Sequence, residues 1–294
     1  MIRIAINGFG RIGRSLTRAL QQHNNIEIVA INDLADAKTL AHLLKYDSVH
    51  GQFNGEISAN ENSISINGKA IQVLNEKDPK NLPWSALKID IVIESTGLFL
   101  TKELASQHLI AGAKKVILSA PPKSDDIKTV VLGINDDNID GTEEIISNAS
   151  CTTNAVAPLI KVLHDLYHIE SAYITTVHSY TSDQTLHDAP HRDLRRARAG
   201  AQSIIPTTTG AAKAITKIFP DLDIIMLTTY EEEEVILKAL CAGACSFISK
   251  RAGLPAIAEA IEIVANGGSY MSPRIAKEIV KHFFSKPKQK SILF

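Results

Sequence analysis

Cysteine is scarce in this chain: three residues in 294, at positions 151, 241 and 245. That is no disulfide framework, and it fits thiols kept reduced in a cytoplasm. Charge of either sign is also nearly absent in the balance, with 31 basic against 32 acidic residues and a net charge of −1. Without a long basic block there is no electrostatic footprint for nucleic acid or for an anionic membrane surface. No apolar run approaches the ~20 residues of a membrane span. Met1 leads into an alternating strand pattern rather than a signal peptide. Cys241 and Cys245 stand four apart at a predicted helix end with no His or acidic partner in register, so no metal site is expected. What is present is apolar: 45% of residues are hydrophobic, enough for two domains with their own cores.

The N-terminus carries a dense signal. Ile2, Ile4 and Ile6 alternate with Arg3 and Ala5 as in a strand, which runs into Asn7-Gly8-Phe9-Gly10-Arg11-Ile12-Gly13. A helical pattern follows with Ile12, Leu16, Ala19 and Leu20 on one face, then a strand Ile26–Ile31 ending at Asn32-Asp33. Strand, G-x-G-x-x-G, helix, strand and an acid twenty residues after Gly13 form the context that a dinucleotide fingerprint requires. Gly8 makes the tight turn, Gly10 lets backbone approach a pyrophosphate, and Gly13 lets helix and strand pack closely. Asp33 accepts hydrogen bonds from ribose hydroxyls and repels a 2′-phosphate, which favours NAD over NADP.

Strand patterns recur at 89–93, 115–118, 129–134 and 144–146, alternating with helical stretches. The expected fold is α/β, a mainly parallel, doubly wound Rossmann sheet over residues 1–149. Ligands lie at the carboxyl ends of such strands, which places Ser95, Thr96 and Ser119 toward a cofactor; as ordinary loop hydroxyls they would instead cap helices.

Cys151 stands in Ser147-Asn148-Ala149-Ser150-Cys151-Thr152-Thr153-Asn154, immediately before an apolar run read as a helix. A thiol at a helix N-terminus meets unpaired N–H groups and the positive end of the helix dipole, both of which favour the nucleophilic thiolate. His178 follows an apolar strand pattern, Tyr173–Val177, from which a base could reach the thiol.

Together the strings INGFGRIGR, HLLKYDSVHG, ESTG, SNASCTTN, HSYTSDQ and DLRRARAGAQSIIPTTTGAAKA resemble phosphorylating glyceraldehyde-3-phosphate dehydrogenase over residues 1 to about 220. The related erythrose-4-phosphate dehydrogenases share several of them, but TTTGAAKA and HSYTSDQ look more like the glyceraldehyde phosphate enzymes. The resemblance implies NAD as cofactor and glyceraldehyde 3-phosphate and inorganic phosphate as substrates; family members are homo-oligomers, but a tetramer is not expected here, because the family's later sheet forms much of the subunit contact. It implies cofactor contacts from Asn7, Gly8, Gly10, Arg11, Ile12, Gly13, Asp33, Ser95, Thr96, Gly97 and Ser119. It makes Cys151 the nucleophile and His178 the base. It assigns Ser150, Thr152, Thr209 and Gly210 to phosphate binding and Thr181 to the substrate's own phosphate. Arg195, Arg196 and Arg198 match a loop that in the family borders the active site and a subunit interface; as a charge run they also read as a solvated surface.

After Pro220 the family pattern stops. The family would continue with a strand bearing an arginine for the substrate phosphate, further antiparallel strands, an asparagine that orients the nicotinamide amide and a closing helix. In its place come a strand pattern Asp223–Tyr230, Glu231–Glu234, a helical Val235–Leu240, a strand Cys245–Ser249 before Lys250, an amphipathic helix Pro255–Ala265, and a last helix opened by Ser272-Pro273. Residues 223–284 resemble the second half of a response-regulator receiver domain, with Thr228 at the switch hydroxyl and Lys250 at the phosphate-contacting lysine. The metal-binding acids and phosphoacceptor aspartate of the first half are missing, and no helix-turn-helix follows, so neither phosphotransfer nor DNA binding is expected. The expected organisation is a dinucleotide domain at 1–149, a partial catalytic domain at 150–220 and a receiver-like βαβα tail at 221–294. The expected activity is impaired by loss of the C-terminal catalytic region. The competing reading is an impaired NAD-binding chimera whose tail is an interaction surface.

Overall fold

The computed structural model describes residues 1–169, 174, 176–202, 204–207, 209–219, 225–228, 245–249, 253–272, 275–277 and 280. The chain divides into two compact units, Met1–Asn154 and Ala155–Phe294.

In the first unit, β1 (Ile2–Asn7), α1 (Arg11–Leu20) and β2 (Ile26–Asn32) open the chain. Next come α2 (Ala37–Lys45), a small hairpin β3 (Tyr46–Asp47) and β4 (Gly51–Gln52), and an antiparallel run β5 (Ile57–Ala59), β6 (Ser63–Ile66), β7 (Lys69–Leu74). The unit closes with β8 (Ile91–Glu94), α3 (Lys102–Ile110), β9 (Lys115–Leu118), β10 (Lys128–Thr129) and β11 (Ile145–Ser147). Nine strands form one sheet in the order β10-β11-β9-β8-β1-β2-β7-β6-β5. The seven strands from β10 to β7 in that order pair in parallel.

Both faces of the sheet are covered, and the period-2 side-chain alternation shows why β1 and β2 are almost uniformly apolar. Ile6 and Ile31 face a core with Leu40, Leu44, Phe53 and Ile71, while their neighbours Ala5 and Ala30 face one with Leu82, Trp84 and Val92. Burying each such isoleucine is worth roughly 1.5–3 kcal/mol. Asp36 accepts from Thr39 N and caps α2; Thr101 accepts from Leu104 N and caps α3.

Two sequence expectations shift. On α1 the buried positions are Gly13 and Thr17, with Leu16 and Leu20 half-buried, while Ile12 and Ala19 are exposed. The cause is Gly13: a Cβ there would lie 2.5 Å from the Gly8 carbonyl oxygen, so that residue faces the sheet and Ile12 turns outward. The strand pattern at 129–134 shrinks to Lys128–Thr129, because Val131 N donates to the Asn135 side chain and the chain turns there.

In the second unit, α4 (Cys151–Tyr167), which begins in the first, is followed by irregular chain through Gly210 among the described residues. Ile174, Thr176 and Val177 lie outside any strand, which corrects the expected strand before His178; Tyr173 and Thr175 lie outside the described residues. Then come α5 (Ala211–Ile218), β12 (Ile225–Thr228), β13 (Ser246–Ser249) and α6 (Gly253–Ala265). The strands β12 and β13 pair in parallel, Ile225 with Ser246 through Thr228 with Ser249. The expected helix at 235–240, Cys241, Lys250 and Pro273 lie outside the described residues.

Candidate active site

The sheet order places β1 between β8 and β2, so the chain leaves the sheet in opposite directions on either side of β1. This is the topological switch point at which a crevice opens beyond the carboxyl ends of the strands. Gly8 follows β1 with φ +91°, a left-handed conformation. Its missing side chain is a second requirement, because a Cβ would lie 2.7 Å from Thr96 N after β8. Ser95 Oγ closes the junction by donating to Gly8 O (2.6 Å). On the other side Asp33 Oδ2 accepts from Phe9 N (2.7 Å) and Oδ1 from Ala35 N (3.0 Å). The carboxylate thus stands at the mouth of the glycine turn, at the position the fingerprint requires. Next to Gly10, nothing lies within 4 Å of where a Cβ would be, and no side chain caps the first turn of α1. Open space beside the loop and an uncapped helix start are what a pyrophosphate needs. Arg11, exposed on that turn, pairs with Asp47. Asp47 is held well below the usual carboxylate range, first by the His50 N–H, then by Val49 N–H and Arg11.

Not every expected cofactor residue offers its hydroxyl outward. Ser95 Oγ is spent on the Gly8 turn, and Thr96 Oγ1 donates to Glu94 Oε1 (2.5 Å). Gly97 has φ +75° and is exposed. Ser119 N donates to Glu94 O, fixing the start of the loop after β9.

The thiol segment lies at the end of this unit. Ala149 has φ +58°, a costly conformation for a residue with a side chain. It is buried, and its N–H donates to Ser147 Oγ. Strain of this kind, worth about 1–3 kcal/mol, concentrates at functional sites. The kink delivers Ser150 as a helix cap: its Oγ accepts from Thr153 N (3.0 Å) and meets Thr153 Oγ1 at 2.7 Å. Asn154 Nδ2 ties back to Asn148 O (2.7 Å) and Ser150 O (3.0 Å). Cys151 is therefore the first residue of α4, exposed, at the positive end of a helix 17 residues long. Thr152 is half-buried beside it.

The remaining site residues belong to the second unit. His178 is exposed, with Nδ1 2.6 Å from Ser179 O. Thr181 Oγ1 accepts from Asp183 N. Thr209 and Gly210 stand exposed at the start of α5, with Thr209 Oγ1 accepting from Ala211 N. The three arginines are ion-paired within their own loop: Arg195 to both oxygens of Asp193, Arg196 to Asp183, and Arg198 to Asp188. The Arg195 guanidinium, chiefly, holds Asp193 at about 2.

Sequence reasoning missed the buried group behind the glycine loop: the Asn32 side chain, Glu94 as a buried acid, His108, and the indole N–H of Trp84. Only Glu94 carried a signal, as the first residue of ESTG.

A doubly wound sheet with a glycine turn at its switch point, joined to a cysteine-led helix, defines a dinucleotide-dependent enzyme architecture. The chain belongs to the glyceraldehyde 3-phosphate dehydrogenase family. Residues 2–102 match the family's NAD binding domain and residues 150–230 its C-terminal domain. It is 58% identical over 222 residues to the glyceraldehyde-3-phosphate dehydrogenase of Geobacillus stearothermophilus, covering 75% of this chain and 66% of that protein. To that of Clostridium acetobutylicum it is 56% identical over 224 residues, covering 76% and 67%. To that of Thermotoga maritima it is 59% identical over 220 residues, covering 74% and 66%. The chain thus matches about two thirds of these relatives' length, and the C-terminal domain match runs to residue 230, ten residues past the boundary expected from the motifs.

Proposed function

We propose that this chain carries the chemistry of NAD-dependent, phosphorylating oxidation of glyceraldehyde 3-phosphate to 1,3-bisphosphoglycerate. The observation that carries this reading is Cys151 as the exposed first residue of a capped helix, in a chain that also holds the family's NAD binding domain. Asn7, Gly8, Gly10, Arg11, Ile12, Gly13, Asp33, Ser95, Thr96, Gly97 and Ser119 would hold NAD, which supplies the hydride acceptor when bound. The Cys151 thiolate adds to the aldehyde carbon, and His178 takes the thiol proton. After oxidation the acyl group is a thioester on Sγ. Inorganic phosphate, held by Ser150, Thr152, Thr209 and Gly210, attacks that carbonyl and expels the thiolate, leaving an acyl phosphate. Thr181 would bind the substrate's own phosphate. Residues 221–294 we read as a receiver-like βαβα tail; the parallel pairing of β12 and β13 supports it, because parallel neighbours need a crossover connection between them.

NADH formation with glyceraldehyde 3-phosphate, NAD and phosphate tests the whole reading, with Cys151→Ala as the blank. A rate equal to the blank overturns it. Two further results are expected. Limited iodoacetamide followed by peptide mapping should label Cys151 ahead of Cys241 and Cys245, because a helix N-terminus raises the thiolate fraction; prior labelling of either other cysteine counts against the site. Asp33→Ser should weaken NAD more than NADP by roughly tenfold, the worth of one charge-assisted hydrogen bond; an unchanged preference contradicts the ribose contact.

A second reading, an impaired NAD-binding protein that works by association, is favoured by one observation, which lies on α4 and not on the tail expected to carry that surface. Leu159, Val162, Leu163, Leu166 and Tyr167 on α4 are all exposed, an apolar ridge at helical spacing. The NADH assay separates the two, and a monomer in sedimentation at micromolar concentration argues against association.

A further inference from the structure

A buried acid and a buried histidine of the first unit lie behind the glycine loop. Glu94 is 1% exposed and His108 is fully buried. Trp84 Nε1 donates to His108 Nδ1 at 3.0 Å. An indole N–H can only donate, so Nδ1 carries no proton and the ring's proton stands on Nε2. Nε2 lies 3.0 Å from Glu94 Oε2. The same oxygen accepts from Asn7 Nδ2 at 2.6 Å, and Asn7 Oδ1 accepts from Asn32 Nδ2 at 2.7 Å. The 3.4 Å approach of Asn7 Nδ2 to His108 Nε2 is two donors converging on one acceptor. Glu94 Oε1 takes the other two donors, Thr96 N (2.8 Å) and Thr96 Oγ1. The carboxylate has four partners, the full acceptor set of its two oxygens.

Such a group is costly to build. Apolar side chains of similar volume would fill the same space with no desolvation penalty. What the polar version adds is orientation. One end of the chain of contacts is Trp84, packed with Leu82 and Ile89 in an apolar cluster. The other end is the Thr96 backbone and the Asn7 amide, which flank the Gly8 turn on its two sides.

We propose that His108 is a positioning residue for the dinucleotide site: its Nε2–H fixes the Glu94 carboxylate, which holds Thr96 and Asn7 against the Gly8 turn. Trp84 sets the tautomer that makes this donation possible. This rests on the dinucleotide reading above and goes beyond it, because neither residue is part of the glycine fingerprint.

The test uses the full chain, with calorimetric binding of NAD and of ADP-ribose, thermal midpoints by circular dichroism, and the emission of Trp84, the single tryptophan present. His108→Leu should weaken both ligands about tenfold, as expected for a buried acceptor left short of one donor. His108→Gln carries an acceptor and a donor at comparable separation and should restore binding to about twofold of the parent. Trp84→Phe frees the ring to place a lone pair against Glu94 and should weaken binding several-fold. ADP-ribose should shift the Trp84 emission in the parent and in His108→Gln, and not in His108→Leu. Leu82→Ala, in the same apolar cluster, should lower the midpoint and leave binding unchanged, which separates positioning from stability. Parent-like binding by folded His108→Leu, or equal weakening in Leu82→Ala, overturns the proposal. Should His108→Leu not fold, parent-like binding by Trp84→Phe overturns it instead. A parent that binds neither ligand overturns the dinucleotide reading itself, and the positioning role with it.

Discussion

Supplied with NAD, glyceraldehyde 3-phosphate and inorganic phosphate, the purified chain is expected to form NADH roughly a thousandfold more slowly than a family member that carries the whole C-terminal domain. The match to that domain ends at residue 230. On the proposed reading the chain beyond it does not carry the arginine that the family resemblance assigns to the substrate phosphate, a charge-assisted contact worth roughly 1.5–3 kcal/mol. It also lacks the pattern for the asparagine that stops the nicotinamide rotating, and orientation accounts for several kcal/mol of a barrier. With residues 221–294 forming the proposed receiver-like tail in place of the family's antiparallel strands, water should reach the thioester, so acyl-enzyme should be lost to hydrolysis rather than to phosphate. These losses act in the transition state, so saturating substrate should not restore the rate. Steady-state assays beside a full-length relative decide the matter, with Cys151→Ala measured in parallel to exclude host enzyme. A rate within tenfold of the relative would mean that residues 221–294 replace the missing sheet.

Gly8→Ala should abolish cofactor binding and lower the melting temperature, whereas Gly10→Ala should abolish binding alone. At Gly8 an added Cβ meets Thr96 N at 2.7 Å and Ser95 C at 2.8 Å, both backbone, and the φ of +91° is itself strained for alanine. The conformational cost is about 1–3 kcal/mol before any clash is counted, and relieving the clash separates β1 from β8. At Gly10 the conformation is extended, with φ −70°, and the added methyl meets nothing within 4 Å. The protein should tolerate it, and only a pyrophosphate approaching the loop should be excluded, by roughly a hundredfold in affinity, about 2.7 kcal/mol. Calorimetric titration with NAD and a melting curve for each variant separate the two effects. Parent-like binding by Gly10→Ala would mean the dinucleotide does not lie over this loop.

Much of this was legible along the chain because the determinants are local. The alternation of Ile2, Ile4 and Ile6, the glycine spacing, and Asp33 twenty residues after Gly13 are each fixed by backbone geometry over a few residues, and the structure reproduces the unit they imply. Cys151 was readable for the same reason, from the apolar helical run that follows it, and the structure adds Ser150 as the cap. Less regular segments misled. The run at 173–177 has strand composition, yet Ile174, Thr176 and Val177 are not in a strand, because β composition reports a pairing opportunity rather than a partner.

Other features depend on contacts between residues far apart in sequence. The sequence alone determined that residues 1–149 would wind as strand, glycine turn, helix and strand, and that a thiol would lead α4. Only the tertiary structure decided that Gly13, and not Ile12, faces the sheet, since the Gly8 carbonyl oxygen leaves no room for a side chain there. Only the tertiary structure brought Trp84 onto His108, 24 residues away, and His108 onto Glu94 behind the glycine loop. A buried carboxylate must collect its donors from whichever strands and helices pack around it, and that set exists only once the sheet has closed over them.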